Sequence, residues 1–146
     1  MVRANRPDNQ WSAFLNKRKM LLKTLLIWIL IAVGEVLNGN IRVKYLQRKF
    51  GRNRGKQLSL LSGISIFYLI SWCFLPWIGP NSIIDCFFIG LVWVCLMTLF
   101  DIYFGRYVFR LPWNKVLDDF NPLKGNLLAI GMLLLFFCPS IIFLLK

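Results

Sequence analysis

Glu35 and Asp101 stand out because each is a carboxylate inside a long apolar run, and the chain has only six acidic residues in all. A carboxylate in such surroundings can exchange a proton, hold a cation or pair with a basic side chain. Glu35, Asn38, Gly39 and Arg42 recur at i, i+3, i+4 and i+7, which places them on one face of a helix. Asp101 shares a helical face with Gly90, Val94 and Met97, and Gly105 and Arg106 follow one turn later. The spacing predicts a polar patch of Glu35, Asn38, Arg42, Asp101 and Arg106. A third intrasegment acid, Asp85, begins its segment, where the dipole of a helix N-terminus favours a carboxylate.

Other chemistry is excluded by residue type. The sequence has no histidine, which removes imidazole acid–base catalysis, His metal ligation and a Ser-His-Asp triad. Cys73, Cys86, Cys95 and Cys138 all lie in apolar runs without C-x-x-C spacing and read as small packing residues. No cofactor or metal is expected, and an enzyme ranks last among the function classes.

The elements that position these residues follow from the distribution of charge. Hydrophobic residues make up 58% of the chain, above the roughly 45–50% of soluble domains. No charge occurs from Gln57 to Ile84 or from Gly125 to Leu145. Runs of about 20 such residues are long enough to cross a hydrocarbon core. They are continuous rather than alternating, which argues against a β-barrel. The expectation is an all-α, multi-pass membrane protein: a basic N-terminal tail over 1–23, then a four-helix transmembrane domain over 24–146. The spans are expected at about 24–41, 57–78, 83–104 and 126–145.

Trp11, Phe14 and Leu15 give the second half of the tail the character of a short interfacial helix. Ala32-Val33-Gly34 resembles a signal-peptide cleavage site. Cleavage would export the seven cations between Arg42 and Lys56, against the positive-inside tendency, so the segment is read as retained. Ser59 and Gly63 form a small-x-x-x-small pair beside Ser62. Gly79-Pro80-Asn81-Ser82 is a turn that predicts a tight antiparallel hairpin of the second and third spans. An interfacial segment follows the third span, with Asn114 as a candidate cap and Val116, Leu117 and Phe120 on its apolar side. Pro139 should kink the fourth span.

The 18 Lys and Arg residues sit between the apolar runs, where they meet anionic lipid headgroups and not nucleic acid. A homo-oligomer or a partner membrane protein is the other expected contact. Eleven cations lie in the first and third loops and seven on the side of the termini. That bias places the two loops in the cytoplasm and the termini outside. Six cations before the first span and seven after it nearly cancel locally, and a re-entrant first segment is the alternative. At 1.5 Å per residue, Glu35 falls about 4 Å and Asp101 about 8 Å past the centres of their spans, in the same half of the membrane.

The pattern Gly34-Glu35-x-x-Asn38-Gly39-x-x-Arg42, with Gln57, Asp101-x-x-x-Gly105-Arg106, Trp113 and Asp119-Phe120-Asn121, resembles a group of small bacterial four-helix membrane proteins of unassigned activity. The resemblance covers the chain from residue 24 onward and implies a fold and a bacterial inner-membrane location. Glu35 in the first apolar helix is also similar to the small multidrug resistance exporters, although this chain is longer, more basic and without their aromatic pattern in the second helix. The microsomal glutathione transferases share size, span number and basicity, but their arginine- and histidine-bearing motif is absent. Two functions follow as expectations: a structural or accessory membrane subunit or, alternatively, a small transporter or channel with Glu35 as its coupling carboxylate.

Overall fold

The computed structural model describes residues 7–146, so Arg3 and Arg6 of the basic tail lie outside the described residues. All of its regular structure is helical, and four helices are long and apolar enough to cross a membrane. Helix α1 (Pro7–Ile41) passes through a π-helical turn (Arg42–Leu46) into the short α2 (Gln47–Phe50). Helices α3 (Arg52–Ile78) and α4 (Ile83–Tyr103) follow, and α4 also ends in a π-helical turn (Phe104–Val108). The short α5 (Trp113–Asp119) and a 3-10 turn (Pro122–Lys124) lead to α6 (Leu128–Leu145).

Over the described residues, from Pro7 on, the tail is continuous with the first span. No glycine or proline falls between Asp8 and Val33, so nothing interrupts the helix before Gly34. With α2 it runs from Asp8 to Phe50, 43 residues or about 65 Å, and it continues through Glu35 without re-entering. The stretch expected as a basic loop, 42–56, is likewise helical. Gly51 reverses the chain at φ +84°, and the absent side chain of Gly55 lets it lie against the backbone of Gln47. The result is a helical hairpin closed by a single residue.

The expected hairpin of the second and third spans is corrected. The turn forms as predicted: Gly79 takes a left-handed conformation, and Asp85 N donates to Ser82 Oγ at 3.3 Å while Asn81 N donates to Asp85 Oδ2 at 3.0 Å. Yet α3 and α4 do not pack side by side. α3 lies against α1 and α6, and α4 lies against α6 and α1, so the sequential pair sits diagonally in the bundle. Close backbone approach explains the choice of neighbours. Gly34 of α1 faces Ile66 of α3, and Gly90 of α4 lies directly against the Phe136 carbonyl of α6. Trp93 Nε1 then ties α4 to α1 by donating to the Thr24 carbonyl at 3.0 Å.

The bundle has the polarity of a protein built for lipid. Thr24, Asn38, Ser59, Ser71 and Ser140 are buried, whereas Leu26, Val33, Leu61, Leu69, Leu99 and Leu133 are exposed. In water that apolar surface would be a severe liability; against acyl chains it is the solvated face. Lysine–tryptophan pairs mark one end. Lys23 Nζ donates to the Trp77 carbonyl and Lys146 Nζ to the Trp72 carbonyl, each at 2.7 Å, and each ammonium lies within 5 Å of the ring centroid at 4.9 and 4.8 Å. Such rings and cations favour the headgroup level. From Lys23 to Arg42 the helix rises about 28 Å, which matches a hydrocarbon core of about 30 Å.

Candidate functional site

The site lies at the opposite end of the bundle, where α1 meets α3. Asn38 is buried, and its amide is committed to α3: Nδ2 donates to the Ser59 carbonyl at 2.9 Å, and Oδ1 accepts from Ser62 Oγ at 2.6 Å. Ser62 Oγ also lies 3.0 Å from the Ser59 carbonyl, its own turn's acceptor. One turn earlier on α1, the Glu35 carboxylate rests over Gly63. A Cβ at residue 63 would stand 3.0 Å from both carboxylate oxygens and from Asn38 Nδ2. The Ser59–Gly63 pair therefore does more than let two helices approach. It opens the floor on which the polar side chains of α1 lie.

Glu35 faces α3, the direction that the cost of a charge against acyl chains favours. The direct ion pair is not formed. Among the described residues the one salt bridge is Lys124 to Asp118, at 2.7 Å. Glu35 Oε1 and Arg42 Nε are each buried without a hydrogen-bond partner. Seven residues of helix separate their backbones by about 10 Å, and the π-helical turn begins at Arg42 itself. Asp101 is half-buried on α4 and lies in electrostatic range of Glu35, Arg42 and Asp119. Four of the five expected patch residues thus gather at one end of the bundle, and Asn38 is the member whose amide both donates and accepts across to α3.

Arg106 is the exception. Its Nη1 donates to the Leu111 carbonyl at 3.2 Å, and its guanidinium stacks over Trp113 at 5.5 Å. It clamps the turn after α4, where Arg110 adopts a left-handed φ of +52°, and it does not join Glu35. The interfacial helix starts at Trp113 with Pro112 as its N-cap, so Asn114 is not the cap. Proline at the cap position needs no amide donor of its own. Val116 of α5 is buried against Gly105, Phe120 is half-buried, and Leu117 is exposed.

Sequence reasoning left Ser59, Ser62 and Gly63 out of the polar patch, although their spacing was visible. The two π-helical turns carried no signal of their own. They sit at the same end of the bundle, one starting at Arg42 and one three residues after Asp101, and such turns are frequent at functional sites. An apolar groove of about 460 Å³ runs between α4 and α6, lined by Val94, Thr98, Phe120, Ala129, Met132 and Leu133 among others. It reaches neither Glu35 nor Asp101. Among the described residues no three Cys, Asp or Glu side chains cluster as a metal site. Compared with protein-family models, curated proteins and solved structures, the chain matches none.

Proposed function

We propose that this chain is an accessory subunit of the bacterial inner membrane: a four-span module whose intramembrane polar groups hold helices together. The observation that supports this most is the use to which Asn38 is put. Its side chain sits in direct contact with α3 and has two hydrogen-bonding partners there. Interhelical bonds of this kind contribute about 0.6 kcal/mol on average and up to about 1.7. Glu35 lies on the same face, packed on Gly63. The eleven cations of the first and third loops face the cytoplasm in this arrangement, and the termini lie outside.

A second function is favoured by a different observation. One oxygen of Glu35, Oε1, and one nitrogen of Arg42, Nε, are buried without a hydrogen bond, and a charge near a span centre is disfavoured by about 2.5–3.5 kcal/mol. A small transporter with Glu35 as its coupling carboxylate would have reason to keep these groups unpaired. Glu35→Gln separates the two. In an accessory subunit it keeps the packing on Gly63, leaves the bundle at least as stable and changes no proton flux. In a transporter it leaves a folded protein that no longer carries protons across the membrane.

A further inference from the structure

The segment from Val36 to Ile84 contains seven cations and no acidic residue. Its charged part is the helical hairpin of the π-turn, α2 and the start of α3. There Lys44, Arg48, Lys49, Arg52 and Arg54 are all exposed. None of them forms an ion pair among the described residues, where Lys124–Asp118 is the one salt bridge. Because Gly51 and Gly55 close the hairpin tightly, five like charges project from a narrow tip. An anionic surface that meets this tip relieves their mutual repulsion.

Position and composition decide what offsets it. The hairpin rises from Arg42, at the edge of the hydrocarbon, to Gly51 about 13 Å further out. That span covers a headgroup layer of about 5–8 Å per leaflet and its outer boundary. Exposed Val43, Tyr45 and Phe50 interleave with the cations, with Lys44 Nζ 6.0 Å from the Tyr45 ring centroid and Lys49 Nζ 5.5 Å from that of Phe50. A soluble polyanion would require cations alone. An alternation of apolar rings and cations suits the boundary between acyl chains and anionic headgroups.

We infer that the hairpin Arg42–Lys56 is a docking surface for anionic phospholipid, gathering acidic headgroups around the first and second spans. The inference rests on the membrane placement proposed above and is independent of the role of Glu35.

The test uses the full chain reconstituted in phosphatidylcholine vesicles with a minority of phosphatidylglycerol. Membrane insertion is checked first by flotation, so that failure of the placement is seen separately. Spin-labelled phosphatidylglycerol and phosphatidylcholine then report which lipid is immobilised at the protein. The wild type should prefer phosphatidylglycerol about threefold or more at low salt. Molar salt, which shortens the screening length to about 3 Å, should remove most of that preference. The variant Lys44→Gln, Arg48→Gln, Lys49→Gln, Arg52→Gln, Arg54→Gln should lose it, and Lys17→Gln, Arg18→Gln, Lys19→Gln at the other end should retain it. If the five-fold variant does not fold, the salt series on the wild type decides. Equal immobilisation of both lipids by the wild type would overturn the inference, as would an unchanged preference in the folded five-fold variant. Binding of soluble polyglutamate by a wild type that immobilises both lipids equally would assign the surface to an acidic protein instead.

Discussion

The carboxylate of Glu35 lies over Gly63, close enough that a methyl group at residue 63 would stand 3.0 Å from both of its oxygens. An acidic side chain on one helix is thus accommodated by the absence of a side chain on the next. Other glycines in the bundle do not have this role, and the difference can be measured.

Alanine at each helical glycine should give a ranked series. Gly90→Ala drives a methyl group into the Phe136 backbone, which cannot move without separating α4 from α6. It should cost about 1–3 kcal/mol or more, as overpacking does. Gly63→Ala meets the ends of Glu35 and Asn38, which can give way by a few tenths of an ångström, and should cost less. Gly39 has nothing within 4 Å of an added Cβ, so Gly39→Ala should stabilise the helix by about 0.5–1 kcal/mol. Reversible unfolding in detergent gives the order; Gly39→Ala as the most damaging change would contradict the packing.

Asn38 and Ser62 should be energetically coupled. Their hydrogen bond crosses from α1 to α3 at 2.6 Å. A double-mutant cycle with Asn38→Leu and Ser62→Ala should yield a coupling of about 0.6–1.7 kcal/mol. Additive effects would show that the bond does not hold the helices together.

The basic hairpin 42–56 and the segment 105–125 lie at the same end of the bundle. Lys56 Nζ donates to Asn126 Oδ1 at 3.1 Å, joining the start of α3 to the start of the last span. With the four native cysteines replaced, single cysteines at the exposed Asn53 and Asn114 should be labelled by a membrane-impermeant reagent from the same side. Labelling from opposite sides would break the four-span topology whatever its orientation.

The spans were legible because lipid imposes a single strong requirement, long charge-free runs, and Gln57–Ile78 and Leu128–Leu145 satisfy it openly. The inward face of Glu35 was legible from the cost of a charge against acyl chains. In sequence the basic stretch after Arg42 has the character of a loop, because its charge and polarity outweigh the Gly51–Gly55 pair that closes it. The diagonal placement of α3 and α4 depends on Gly90 meeting the Phe136 carbonyl, a contact between residues 46 positions apart. Only its neighbourhood in the chain places Arg106 in the patch. Its direction is set instead by the Leu111 carbonyl and the Trp113 ring.

Trp93→Phe should loosen α4 from α1. The indole donates a buried hydrogen bond to the Thr24 carbonyl, and phenylalanine keeps most of the packing while removing the donor. A loss of about 0.5–1.5 kcal/mol is expected from unfolding in detergent. No change would mean that packing alone fixes this helix pair.

The role of Glu35 is tested most directly by pairing two readouts on the same variants. Wild type, Glu35→Gln and Glu35→Ala are reconstituted in vesicles carrying a pH-sensitive dye, and their unfolding midpoints are measured in parallel. A packing role predicts that the wild type dissipates a pH gradient no faster than empty vesicles. It predicts that Glu35→Gln, which keeps the contact with Gly63 and removes a carboxylate without an ion pair among the described residues, leaves the unfolding midpoint unchanged or raised, and that Glu35→Ala, which removes the contact, lowers it. A wild type that collapses the gradient, with a folded Glu35→Gln variant that does not, would contradict it.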